Sequence, residues 1–316
     1  MTRTPRTATL ALALAGSLLA AAPKVVVPAN GVPPVGPYSP GLDTGDYLYI
    51  SGQGVRDSKS QMPAGIDAQT TQCIENVRGI LAAAGLGFGD VVSVQMFLAD
   101  LKTLPAVDKI YLAAFPKNPP RVVLGVSKMP TDTTVEITVV ARKPTAKADR
   151  VFVPAVYGTS TVDVEAKLAA ELKKSGLTPK NVLFVNRYVV GSTATGVVPV
   201  TALANGATHA VFAIAAKTPP SGSAYCEVVA SDPKGTIEAQ TADAFAKLKA
   251  CLAGKGFGLE DAVATNVYLD DINDFAKMNA VYATYFAVQK PTRTTIQPAP
   301  AGSKSSLVRL AAVAAK

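Results

Sequence analysis

One segment of this chain is present twice, 171 residues apart. Residues 85–98 read GLGFGDVVSVQMFL, and residues 256–269 read GFGLEDAVATNVYL. The register holds without a gap from Ala68-Gln69-Thr70, matched by Ala239-Gln240-Thr241, to Phe115, matched by Phe286. Asp90 falls on Asp261, Asp100 on Asp271 and Tyr111 on Tyr282. A weaker third copy, GLTPKNVLFVNRYV at 176–189, lies between them at an offset of 91 from the first. It places Gly176 on Gly85, Val182 on Val91, Val185 on Val94 and Tyr188 on Phe97. A repeat of this length decides architecture before any single motif does. It predicts three related units at residues 30–146, 147–218 and 219–316, the middle one shortened.

The pattern within the first unit is strand, helix, strand, helix, strand, strand. Tyr47 to Ser51 is an apolar, β-prone run ended by Gly52-Gln53-Gly54. Ile66, Thr70, Cys73, Ile74, Val77, Ile80 and Leu81 recur at spacings of three and four, which predicts a helix over 67–84. Asp67 is its expected N-cap and Gly85 its stop. Val91 to Leu98 reads as a strand, 104–115 as a second helix, and Arg121–Val126 and Val135–Arg142 as the last strands. Each helix has one apolar side to bury, so both should lie on one face of a sheet. The middle unit keeps one helix. Its stretch Gly191 to Gly206 is too rich in Gly, Thr and Val to supply the second. The third unit keeps both.

The N-terminus reads as a targeting segment. Arg3 and Arg6 precede an apolar run from Leu10 to Ala22, and Ala20-Ala21-Ala22 offers a small-residue cleavage site. The run is short for a membrane span, so residues 1–22 are expected to be a signal peptide, with a periplasmic or secreted product and no span in the mature chain. The alternative is a retained anchor. The net charge of +8 is spread along the chain with no Lys/Arg block and no Trp. That favours a solvated surface over a nucleic-acid partner. Cys73, Cys226 and Cys251 form no CxxC and no Cys/His cluster. Packing is their expected role, although an odd thiol count in an exported chain leaves room for one bridge. His209, the one histidine, reads as a packing residue.

The first unit also carries Gly36-Pro37-Tyr38-Ser39-Pro40, then Ser51-Gly52-Gln53, Glu75-Asn76, Pro119-Pro120-Arg121 and, fifteen residues later, Glu136. This ordered set resembles the Rid family of enamine/imine deaminases, formerly YjgF or L-PSP endoribonucleases, over about residues 30–143. The third unit is similar to the second half of the pattern, with Asn279-Ala280-Val281-Tyr282 and Pro291-Thr292-Arg293. The resemblance implies an α+β, chorismate-mutase-like fold of sheet-and-two-helix units. Family members trimerise and bind ligands between subunits. Three such units in one chain are therefore expected to pack as an intramolecular pseudo-trimer that needs no homo-oligomerisation, since a covalent link raises effective concentration.

The family hydrolyses 2-aminoacrylate and its imine tautomer to a 2-keto acid and ammonia, so the implied partner is a small carboxylate-bearing metabolite and no cofactor is expected. By the resemblance, Arg121 grips the carboxylate through paired hydrogen bonds. Glu136 orients or activates water, and Tyr38 donates a hydroxyl. Ser51 and Gly52 bring backbone close to the ligand, while Arg293 and Asn279 supply the third unit's share. Structural readings stand beside these: a surface arginine, a salt-bridged glutamate, a packing tyrosine, a plain strand end. There are departures as well. The position two after Arg121, often Cys in the family, is Val123. Asp108 stands where the third unit has Asn279. The Glu136 position is Val308 or Arg309 in the third unit and His209 or Ala210 in the middle one. The surviving cleft is expected between units 1 and 3, drawing on Arg293 or Arg121. Two functions stay open: an imine deaminase, and a non-catalytic small-carboxylate binding protein of the same fold. Ribonuclease chemistry is set aside because the sequence has no His pair and no metal cluster.

Overall fold

The structure, a computed structural model, describes residues 22–147, 149–192, 194, 196–218, 222–231, 234–302 and 306–316. The expected signal segment lies, apart from Ala22, outside the described residues. The first third contains β1 (Lys24–Val26), β2 (Gly41–Asp43), β3 (Tyr47–Gln53), α1 (Ile66–Ala83), β4 (Val91–Leu98), α2 (Leu104–Ala114), β5 (Arg121–Gly125) and β6 (Val135–Arg142). The middle third contains β7 (Arg150–Gly158), α3 (Thr161–Lys174), β8 (Val182–Val190), β9 (Val198–Val200), β10 (Ala202–Leu203) and β11 (His209–Ala216). The last third contains β12 (Ser223–Val229), α4 (Ile237–Ala253), β13 (Ala262–Leu269), α5 (Phe275–Tyr285), β14 (Thr292–Ile296) and β15 (Val308–Ala315).

Repetition in the sequence becomes repetition in backbone geometry. Helices α1, α3 and α4 end in glycines at Gly85, Gly176 and Gly256, with φ of 71°, 70° and 82°. The next amides, on Leu86, Leu177 and Phe257, donate back to the carbonyls of Leu81, Leu172 and Leu252. Only glycine adopts this left-handed cap without a Cβ penalty. Two residues on, the amides of Gly87, Thr178 and Gly258 donate to the side chains of Asp90, Asn181 and Asp261. The start of α1 differs from expectation. Gly65 is the N-cap, and Asp67 lies in the first turn, where its charge suits the positive end of the helix.

Strand order β3-β6-β4-β5 recurs as β7-β11-β8-β9 and as β12-β15-β13-β14. In each set the final pair is parallel and the others antiparallel. Among the described residues the middle third has no second helix. Instead its Val198-Pro199-Val200 runs parallel to β8, a short strand that the composition of 191–206 concealed. Strand β10 pairs antiparallel with β5 of the first third, extending that sheet to seven strands.

The three sheets turn their inner faces to one another. Phe97, Tyr188 and Tyr268, equivalent residues of the three repeats, share one buried cluster with Leu124, Val198 and Ile296. Each such side chain removed from water is worth roughly 1.5–3 kcal/mol, so this shared core holds the thirds together. Strand registers settle two open alignments. Phe97 faces Glu136, Tyr188 faces Ala210 and Tyr268 faces Arg309. The glutamate position is therefore Ala210 in the middle third and Arg309 in the last.

The cysteine expectation needs correction. Cys226 of β12 and Cys251 of α4 form a disulfide with a Cα–Cα distance of 6.1 Å, while Cys73 is free and buried. Their separation of 25 residues hid the pairing. It joins a strand to the helix packed on it, and only the tertiary fold brings the two together.

Candidate functional site

The first and last thirds meet along β3 and β14. Ser51 Oγ receives the backbone N–H of Arg293 at 2.8 Å and donates to the Ser39 carbonyl at 2.6 Å. The Ser39 amide donates to the Pro291 carbonyl and its hydroxyl to the Lys290 carbonyl. At the far end of the seam, Lys128 and Gln297 exchange backbone hydrogen bonds. Ser51, expected to bring backbone to a ligand, is fully buried and spends its hydroxyl on the seam.

A cleft of about 760 Å³, its mouth included, opens on this seam. Tyr38, Gly52 and Glu136 line it from the first third, Arg293 and Phe275 from the last. Arg293 is 4 % exposed. Its guanidinium lies 4.8 Å from the Tyr282 ring centre, 5.1 Å from that of Tyr38 and 5.4 Å from that of Phe275. Such a cage of aromatic faces favours a cation. Nη1 donates to Asn279 Oδ1 at 2.7 Å, whereas Nη2 is buried without a hydrogen-bond partner. Gly36 is required here, because a Cβ at that position would collide with Arg293 Nη2.

Glu136 faces the same cleft from β6 and is buried. Gly52 packs against its carboxyl so closely that a Cβ would overlap Oε1. Loss of hydration pushes its pKa from 4.5 up to about 8, with the Arg293 charge pulling the other way. Glu136 therefore holds a proton at neutral pH. Burial also raises the Tyr38 pKa, so that phenol remains a donor.

Arg121 lies elsewhere. Its Nη1 pairs with Asp108 Oδ1 at 2.6 Å, and its guanidinium sits 4.4 Å over the Tyr111 ring. It faces the middle third, where the Tyr157 hydroxyl accepts the Val123 amide and where Ala210 holds the glutamate position. On the remaining seam Arg309 is paired with Glu227 at 2.8 Å. Of the residues expected in the site, the structure brings together Tyr38, Gly52, Glu136, Arg293 and, behind Arg293, Asn279.

Two contributors, Thr295 and Arg56, escaped the sequence reading, and a third, Asn76, enters it only as part of the Glu75-Asn76 motif. Thr295 lines the cleft with its Oγ1 buried and unpaired. It stands two residues after Arg293, as Val123 stands two after Arg121, so its position was visible even though its role was not. Arg56 at the rim donates to the carbonyls of Ser60 and Thr131. Asn76 donates to the carbonyls of Gly54 and Arg56 and fixes that rim.

A family model described as Endoribonuclease L-PSP matches residues 29–143 and 221–316. A RutC family protein of Saccharolobus solfataricus is 42% identical over 113 residues, 35% of this chain and 90% of that protein. An Escherichia coli protein named 2-iminobutanoate/2-iminopropanoate deaminase is 34% identical over 123 residues, 37% of this chain and 96% of that protein. The crystal structure of the E. coli YjgF gene product is 34% identical, covers 38% of this chain and 98% of that one, and aligns with a TM-score of 0.37. Each relative thus spans about one third of the polypeptide. With two matched stretches covering most of its length, the chain belongs to the L-PSP family, the Rid proteins, and carries Rid-like units in tandem.

Proposed function

We propose that the cleft between the first and last thirds hydrolyses a small 2-imino or 2-enamino acid to a 2-keto acid and ammonia. One observation carries this reading: a caged arginine with an unpaired Nη2 shares a small cleft with a glutamate that holds a proton at neutral pH. The Arg293 fork binds the substrate carboxylate. The Glu136 carboxyl gives its proton to the imine nitrogen, which makes the carbon more electrophilic. Water attacks that carbon, and the resulting Glu136 carboxylate takes a water proton. The tetrahedral carbinolamine then passes a proton from oxygen to nitrogen, the C–N bond breaks, and ammonia leaves a C=O group behind. The relatives named as deaminases support the reaction class. The Cys226–Cys251 bridge supports the expected export, because such bonds persist in oxidising compartments.

The test is ammonia and keto-acid release from freshly generated 2-iminobutanoate. Wild type and Arg121→Ala should turn over and Arg293→Ala should not. Equal rates in all three proteins and in buffer would refute the proposal. One observation favours a second reading, ligand binding without turnover: with Glu136 protonated, the resting cleft presents no general base. Saturable 2-ketobutanoate binding with no ammonia release would establish that reading instead.

A further inference from the structure

A second cavity lies away from this cleft, where the inner faces of the three sheets converge. Its walls come from all three thirds, among them Gln95 and Thr138, Phe184 and Ile214, and Asn266 and Val313. Its volume, open margins included, is about 560 Å³. A neighbouring space of about 360 Å³ shares Tyr49, Phe184, Ile214, Tyr225 and Val313 with it, so the two adjoin. Arg293 is the one described residue that borders both the candidate cleft and this chamber. Tyr38 and Glu136 line only the cleft.

The chamber is mostly apolar, but besides Arg293 Nη2 two further polar groups of its lining are unsatisfied. Arg150 borders the smaller space, and its Nε is buried with no hydrogen-bond partner. Its Nη1 donates to the Tyr49 hydroxyl at 2.5 Å, and its guanidinium stacks 4.8 Å from the Tyr47 ring centre. The Asp46 carboxylate acts on its charge, and its Nη1 hydrogen bond goes to a neutral phenol, whereas Arg121, Arg187 and Arg309 bond directly to carboxylates. Deeper in, Gln95 Oε1 is buried and unpaired. Its counterparts in the other repeats, Asn186 and Asn266, both donate to tyrosine hydroxyls.

An immobilised guanidinium with a spare donor selects an anion, and its planar fork suits a carboxylate. The rest of the lining selects what the carboxylate is attached to. Leu183, Phe184, Ile214 and Val313 offer apolar surface, and Phe184 and Tyr225 meet edge to face at 4.4 Å. Such walls disfavour a phosphate or a polar dicarboxylate, whose second charge would lose hydration without a partner. We infer that this inter-sheet chamber is a second ligand site, for a small monocarboxylate with an apolar body, its carboxylate on Arg150 and its body among Phe184, Ile214 and Val313. The site is independent of whether the first cleft turns over imines.

Calorimetric titration of the full chain with benzoate and phenylacetate tests this. Wild type should bind at least one of them saturably. Arg150→Met should weaken that binding at least tenfold, and Val313→Phe, which fills the chamber, should abolish it. Tyr38→Ala, which removes a wall of the cleft alone, should leave the affinity within twofold. Thermal melts establish which variants fold, and if Arg150→Met does not, Val313→Phe decides. No saturable binding by wild type, affinity unchanged by Val313→Phe, or loss in Tyr38→Ala alone would each overturn the assignment.

Discussion

Two seams of this molecule start from the same parts and end differently. On one, Arg293 of β14 leans on Tyr282 and donates to Asn279. On the other, Arg121 of β5 leans on Tyr111 and donates to Asp108. The stacking is alike and the hydrogen-bond lengths differ by a tenth of an ångström, 2.7 against 2.6 Å. The single replacement of an amide by a carboxylate reverses the electrostatics. Asn279 orients a guanidinium and leaves its charge available, whereas Asp108 cancels it. Opposite Arg293 stands Glu136, and the equivalent position facing Arg121 is Ala210. These two side chains are the main electrostatic difference between the candidate cleft and a structural joint built on a common scaffold.

The comparison breaks most sharply at the arginines. Arg293→Ala should cost roughly 2–5 kcal/mol of 2-ketobutanoate binding by calorimetry, as loss of a buried charge partner does. Arg121→Ala should leave that affinity within threefold. If Arg121→Ala has the larger effect, the seams have been assigned the wrong way round.

Next in size is the pH dependence of stability. Glu136 titrates near 4.5 when unfolded and near 8 when folded. Between those values the native state holds a proton that the unfolded state has released, so this group makes stability fall as pH rises through the window. Each pH step between the two values costs about 1.4 kcal/mol, so the full penalty above pH 8 is about 5 kcal/mol. Glu136→Gln should therefore melt close to wild type at pH 4.5 and progressively higher than wild type up to pH 8. A constant difference across that range would remove the case for a protonated cleft.

Copying one seam into the other gives a smaller effect. Asn279→Asp should neutralise Arg293 and weaken keto-acid binding by about tenfold, the order of a charge-assisted hydrogen bond. The reciprocal Asp108→Asn should gain no binding, because Ala210 cannot replace the glutamate. Any gain would show that the carboxylate across the seam is dispensable.

The smallest effect sharpens the comparison at Thr295, whose counterpart is Val123. Thr295→Val removes a buried, unpaired hydroxyl, so the free protein should gain up to about 1 kcal/mol in urea unfolding. The ligand should meanwhile lose affinity by a few-fold. Stability and affinity moving in the same direction would place that hydroxyl outside the site.

Much of this was legible beforehand because repetition is redundant. Strands β4 and β6 fall on their expected residues, and the stop glycines announce themselves in all three copies. Relations across the chain were harder to read. Whether Arg121 or Arg293 faces Glu136 depends on how the thirds rotate about their shared core, and no local pattern encodes that rotation. The disulfide escaped because its cysteines, 25 residues apart, meet only once α4 packs on β12. Strand β9 escaped because three residues carry too little periodicity to stand out. Thr295 reads as an ordinary strand threonine until its neighbours are known.

The bond from Arg293 to Ser51 spans 242 residues of chain. The two halves of the cleft are therefore synthesised 242 residues apart. A nascent chain that has not yet reached Arg293 does not possess it. Closing so long a loop is slow, which keeps the N-terminal half-site open and inert until the last third has been made and has docked.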